Sequence, residues 1–216
     1  MVVAARSLAA AGLVTAFGHV SVRTDFRSGF LITPPKPLGT LRPDEPIQEV
    51  PLAGDGLPDG VPKEAWIHRA IYEARSDVGA ICRAQPPVTT AVASAGVPMR
   101  VLHGHAAFLG RDVPVYGDAR LIREREAGEA LARSLADAGG VVMRGNGAVT
   151  VGADVGAAAA RMWVLEHSAE MNRDAASAGS PEPLSDSEFA YWESVSEEIL
   201  ERIWAYLRDR KSMGKR

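Results

Sequence analysis

His103 and His105 flank a single glycine, and on a strand residues i and i+2 project from the same face. Two imidazoles so placed can hold a metal or contact a substrate, with His19 or Glu64 as a third group if the fold brings one near. His68 lies one helical turn after Glu64 and reads as a packing or hydrogen-bonding histidine rather than a catalyst. Cys82 is the only cysteine; it closes an apolar run and reads as a buried, inert thiol. A single cysteine excludes an internal disulfide and any multi-cysteine metal cluster. No Ser-His-Asp or Cys-His pattern stands out, and glycine pairs such as Gly139-Gly140 lack the spacing of a phosphate loop.

The chain that must position these groups has 216 residues, 46% hydrophobic and 24% charged, the balance of an ordinary globular protein. A net charge of −3 and a pI near 6.0 give no support for nucleic-acid binding. No apolar run is long enough to span a bilayer. The opening residues carry one internal arginine and read as a first helix rather than a secretory signal, so a cytoplasmic protein is expected.

Residues 2–12 are alanine-rich and end at Gly12, which predicts a helix and its stop. His19–Arg23 and residues 30–33 are β-prone runs joined through Arg27-Ser28-Gly29. Residues 34–62 are rich in proline and glycine and predict a loop around a short strand at 47–50. Pro62 opens a helix whose apolar face is Trp66, Ile67, Ala70 and Ile71. Strands are expected at 78–82, ended by Pro86-Pro87, and at 113–116, then a helix over 123–138. Runs at 141–143 and 148–151 flank Arg144-Gly145-Asn146-Gly147, where the Asn-Gly pair predicts a tight turn because both residues tolerate positive φ. A helix over 154–172 starts at Asp154, and residues 173–184 read as a linker. Ser185 to Glu188 form a capping box before one last helix with Phe189, Trp192, Val195, Ile199, Ile203 and Trp204 on its apolar face. Without regular βαβ alternation, the pattern predicts an α/β fold with a mixed, mainly antiparallel central sheet flanked by helices.

Several stretches, in this order, resemble the class II aldolase/adducin family. Phe17-Gly18-His19-Val20-Ser21-Val22-Arg23 resembles the family's early loop over the substrate's anionic end, and Leu31-Ile32-Thr33-Pro34 its Ile-Thr-Pro segment. Pro62-Lys63-Glu64-Ala65-Trp66-Ile67-His68 resembles the Ser-Ser-Glu segment and its helix. Val78-Gly79-Ala80-Ile81 leading to Pro86-Pro87 is similar to the strand that ends in His-X-His-Pro. Met143-Arg144-Gly145-Asn146-Gly147 is similar to the turn that carries the third histidine. The resemblance covers roughly residues 3–172 and implies a three-layer class II aldolase-like fold. It divides the chain into a domain at 1–172 and a linker with a C-terminal helix at 173–216, which packs on the domain or on a neighbouring subunit.

In that family a divalent metal, commonly zinc, is held by three histidines, and a glutamate moves the proton. The resemblance puts the base on Glu64 and the ligand positions on Arg83, Gln85 and Asn146, none of which is a histidine. A guanidinium has no lone pair to donate, and amide oxygens rarely replace imidazole on zinc, so no metal and no cofactor is assigned. What remains is a polar, net-positive pocket. Arg83, Lys63 and His19 would hold anionic groups, Ser21, Thr33 and Tyr116 would contribute polar atoms, Gln85 and Asn146 would orient oxygens, and Glu64 would move the proton. In the structural alternatives, Arg83 pairs with Glu64 as a plain salt bridge, Asn146 serves only its turn, and Lys63 is a solvated surface group.

The motif style is nearest to the decarboxylase-like branch. The expectation is a carbon–carbon lyase, decarboxylase- or aldolase-like, acting without the family's metal on a small anionic oxo- or hydroxy-acid. A non-catalytic, adducin-like binding or scaffolding protein with a relict active site is the alternative. The expected partners are that small anionic substrate and further copies of the chain, in a homo-oligomer with a tetramer favoured, and neither nucleic acid nor membrane.

Overall fold

In the computed structural model, residues 1–210 are described, and they form seven strands and seven α-helices. In chain order these are α1 (Val2–Ala10), β1 (His19–Arg23), β2 (Gly29–Ile32), β3 (Gln48–Pro51), α2 (Ala65–Ala74), β4 (Ala80–Ala84), α3 (Pro87–Ser94), β5 (Val115–Tyr116), α4 (Arg125–Leu135), β6 (Gly140–Met143), β7 (Gly147–Gly152), α5 (Val155–Ala178), α6 (Asp186–Ser194) and α7 (Ser196–Asp209). The strands make one sheet in the order β3-β2-β1-β4-β7-β6-β5, antiparallel throughout except for the β5–β6 pair.

Alternation along the strands sorts the side chains onto two faces. Val20, Cys82 and Ala148 join a core with residues of α1, α3, α5, α6 and α7. Ile81, Val149 and Val151 face the opposite way and pack with residues of α2 and α4. The fold is therefore three-layered, helices on both faces of a mostly antiparallel sheet. Phe189, Leu200, Ile203 and Leu207 of the last two helices are buried in the first core of their own chain. Residues 211–216 of the expected C-terminal segment lie outside the described residues.

The structure departs from the sequence expectation in several elements. Pro86-Pro87 does not only stop β4: Pro87 opens α3, where a residue without an N–H suits the first helical position. Its first amides are met by a buried carboxylate of α5, since Glu166 accepts from the N–H of Val88 (2.9 Å) and Thr89 (2.8 Å) and from Thr89 Oγ1 (2.8 Å). Helix α5 runs to Ala178, past the expected end at residue 172 and into the expected linker. The last helix is two helices broken at Val195, after the expected capping box has formed at Ser185. The strand expected at 113–116 is reduced to Val115–Tyr116. His103 and His105 are not on a strand; Gly104–Leu109 is a 3₁₀ helix that follows His103.

Candidate active site

His19 is the first residue of β1 and stands directly opposite Arg83 of β4 in the antiparallel register. By strand alternation both project on the α2 side of the sheet, as does Ser21. Where the apolar pattern of that face gives out, at the end of the sheet, His19 and Arg83 floor a cavity of about 870 Å³. Lys63 and Glu64 reach it from the start of α2, Gln85 from just beyond β4, and Asn146 from the β6–β7 turn.

Two glycines set that end of the sheet. Gly147 has φ +87°, and a Cβ there would lie 2.1 Å from the carbonyl oxygen of Ala84, so only glycine lets the turn sit on the end of β4. Gly145 is left-handed as well (φ +70°). The expected tight turn joins β6 to β7, and its left-handed residues are the two glycines on either side of Asn146. That geometry points Asn146 at Arg83, whose Nη2 donates to Asn146 Oδ1 (2.8 Å) and to its backbone oxygen (3.2 Å). Arg83 Nη1 donates to the carbonyl oxygen of Phe17 (3.2 Å). Arg83 is 2% exposed, and its Nε finds no protein acceptor.

The Arg83–Glu64 salt bridge of the structural alternative is not among the ion pairs of the described residues. Glu64 accepts instead from Nε of Arg123 at 2.8 Å, an ion pair at the cavity rim just before α4. Glu64 still acts on Arg83 through space: burial lowers the guanidinium's pKa, and the Glu64 charge opposes that shift. Burial, and then the Arg83 charge, push His19 down to about 3, so its imidazole is neutral. His68 is pushed well below its ordinary value by burial first, then by His19 and Arg83.

Six of the nine residues read as site residues thus share one cavity: His19, Lys63, Glu64, Arg83, Gln85 and Asn146. Ser21 and Thr33 do not reach it. Ser21 is fully buried and bonds His68 and Tyr72, while the Thr33 hydroxyl accepts from the N–H of Val20. Tyr116 lines a separate hollow with Asp118 and Arg120. Arg123 and Lys36 line the cavity and went unread as site residues in the sequence, and Phe17, read only as part of the early loop, lines it as well. A cation just before a helix carries no motif of its own, and only the packing of α4 on α2 brings Arg123 to Glu64.

His103 and His105 turn away from the cavity. His103 Nε2 is 3.0 Å from Ser168 Oγ, and the His105 ring packs edge-on to Trp192 at 5.7 Å. No group of three or more His, Cys, Asp or Glu among the described residues is placed to hold a metal. The family's divalent metal does not fit the cavity either. At the positions the family resemblance assigns to the ligands, Arg83 is itself a cation, the Asn146 amide oxygen accepts from that cation, and Gln85 alone is left. Cys82 is buried, and burial pushes its thiol up to about 12.

A family model described as the class II aldolase and adducin N-terminal domain matches residues 1–172. L-fuculose 1-phosphate aldolase from Glaciozyma antarctica superposes with a TM-score of 0.80 over 98% of this chain and 88% of that one, at 23% identity. L-fuculose-1-phosphate aldolase from Thermus thermophilus is 31% identical, with a TM-score of 0.72 over 83% of this chain and 95% of that one. In sequence, 3,4-dihydroxyphthalate decarboxylase from Arthrobacter keyseri is 27% identical over 157 residues, 67% of this chain. The chain spans only 63% of that relative's length. The chain belongs to the class II aldolase and adducin family.

Proposed function

We propose that the chain is a carbon–carbon lyase, decarboxylase- or aldolase-like, that acts on a small anionic oxo- or hydroxy-acid without the family's divalent metal. The observation that carries the reading is the charge on the cavity wall: Lys36, Lys63, Arg83 and Arg123 line it with one carboxylate, Glu64. Such a wall attracts an anion, and fixed donors in a partly closed site stabilise charge as it develops. The relative named for decarboxylation of a dihydroxylated phthalate supports an aromatic acid as one substrate class.

Arg83 is held rigid by Phe17 and Asn146, and one Nη1 proton remains for a substrate carboxylate or oxyanion. Lys63, which pairs with no carboxylate among the described residues, and Arg123 at the rim hold the outer anionic group. The Gln85 amide orients a substrate oxygen. The carbon–carbon bond breaks, CO₂ or an aldehyde departs, and the electron pair stays on the adjoining carbon and its carbonyl oxygen. Glu64 then delivers a proton to that carbon, taken from the departing hydroxyl in the aldol case and from water in the decarboxylation. We further infer a cytoplasmic location and a homo-oligomer, a tetramer by the family resemblance.

The test is a panel of hydroxy- and oxo-acids, aromatic dicarboxylates included, screened by thermal stabilisation and then for release of CO₂ or an aldehyde. A substrate should be turned over by the metal-stripped protein and lost in Glu64→Gln and in Arg83→Ala that still fold. Turnover at the intact rate by both variants would overturn the reading. Stabilisation by none of the acids would favour the scaffolding alternative.

A further inference from the structure

Behind the cavity floor lies a buried chain of polar groups that the reaction above does not use. Ser21 Oγ is 2.7 Å from His68 Nδ1 and 2.9 Å from the Tyr72 hydroxyl. His68 is fully buried and its ring neighbours that of His19, with centroids 5.8 Å apart at 63°. Phe30 stacks on His68 and packs on Tyr72, closing the chain off from solvent. Three nitrogens here are buried without a partner: His68 Nε2, His19 Nδ1 and Arg83 Nε.

Proton counting gives the chain a direction. Among the described residues the Tyr72 hydroxyl has no hydrogen-bond partner but Ser21 Oγ, so its proton is satisfied only if it donates to that oxygen. The serine proton must then go to His68 Nδ1, which leaves the His68 proton on Nε2. The reverse polarity leaves the tyrosine proton buried and unused, a cost of about 1–3 kcal/mol. His68 Nε2–H and Arg83 Nε–H are then two donors without an acceptor, on residues that neighbour His19, one by its ring and one across the strand pair. One water that accepts from both donors and donates to His19 Nδ1 satisfies all three, the usual number of bonds for a buried water.

We propose that Tyr72, Ser21, His68 and one buried water form a directional hydrogen-bond chain that holds His19 in its neutral Nε2–H form. His19 thereby presents a hydrogen-bond donor, not a base, to an oxygen of the bound ligand. His68 and Ser21 are positioning residues. Naming the acceptor as an oxygen of the substrate rests on the lyase reading, whereas the tautomer does not. A neutral donor fits a carbonyl oxygen that gains charge as the carbon–carbon bond breaks, because it strengthens its bond without first losing a proton.

Long-range proton–nitrogen NMR spectra of the full chain labelled at histidine nitrogens test this, with signals assigned through His19→Gln and His68→Gln. His19 and His68 should both show a protonated Nε2 and a bare Nδ1, unchanged from about pH 7 to about pH 5. Ser21→Ala should move the nitrogen signals of both rings away from that form, and Ser21→Thr, which keeps the hydroxyl, should restore them. His19 found as the Nδ1–H tautomer or as imidazolium at pH 7, or left unmoved by Ser21→Ala, overturns the proposal. If Ser21→Ala does not fold, the tautomer in the intact chain decides alone. No substrate enters the measurement, so its failure is distinct from failure of the lyase reading.

Discussion

Arg83 Nη2 donates to two oxygens of Asn146, the two residues that, with Gln85, the family resemblance assigns to the metal-ligand positions. Both Nη2 protons are taken up by Asn146, and a fixed cation against Asn146 Oδ1 repels a metal ion from that oxygen. The purified chain should therefore carry zinc, manganese or iron at far below one ion per chain. Elemental analysis after purification without chelators checks this. Replacing Arg83, Gln85 and Asn146 together by histidine should raise zinc uptake in equilibrium dialysis. Near-stoichiometric metal in the unaltered chain would sink the account.

The Glu64–Arg123 ion pair has one partly exposed member, with the arginine side chain 48% exposed and the glutamate 14%. Pairs of that kind contribute little to stability, so Arg123→Ala should shift it by less than about 1 kcal/mol. Its effect should fall on ligands, because the rim loses a cation. Carboxylates that stabilise the parent should do so about tenfold more weakly, roughly the loss of one charge-assisted hydrogen bond. Equal stabilisation of parent and variant at every concentration would remove Arg123 from the binding wall.

Stability should fall with acid in a particular window. The folded-state pKa of His19 is pushed down to about 3 and that of His68 well below its ordinary value. Below about pH 6.5 the unfolded chain therefore binds protons that the folded chain refuses, so stability drops as pH falls and levels off above about 7. Denaturant midpoints between about pH 7 and 4 measure the slope, and His19→Gln and His68→Gln should each flatten it. Parallel curves for parent and both variants would show that the slope belongs to the carboxylates.

How much of this was legible in the sequence follows from the range of each interaction. Alternation and turn signals carried the antiparallel sheet, and the family resemblance gathered His19, Lys63, Glu64, Arg83, Gln85 and Asn146, which stand on β1, before α2, on and just beyond β4, and in the β6–β7 turn. The partner of Glu64 was not legible, since Arg123 reaches it only through the packing of α4 on α2. Ser21 and Thr33 misled for a related reason. A small hydroxyl beside the site satisfies its neighbours, and only the register shows that Ser21 bonds His68 instead of a ligand. His103 and His105 sit at the start of a 3₁₀ turn instead of on a strand; their rings still meet edge-on, 5.7 Å apart, but beside Trp163 and His167 and not at the Arg83 cavity.

Glu166 provides the last test, far from the cavity. It is 6% exposed, sits on α5, and accepts three hydrogen bonds from Val88 and Thr89 at the start of α3. Those amides have no partner inside α3, so the carboxylate supplies from another helix the cap that Pro86 cannot. Bonds to a charged acceptor are among the stronger ones, and removing it leaves buried donors unmet. Glu166→Ala should therefore cost about 2–3 kcal/mol in chemical denaturation. Glu166→Gln should recover part of it, because one amide oxygen can still accept while the amide nitrogen cannot. A loss below about 0.5 kcal/mol, the level of an ordinary surface change, would mean that water caps α3 as well as Glu166 does.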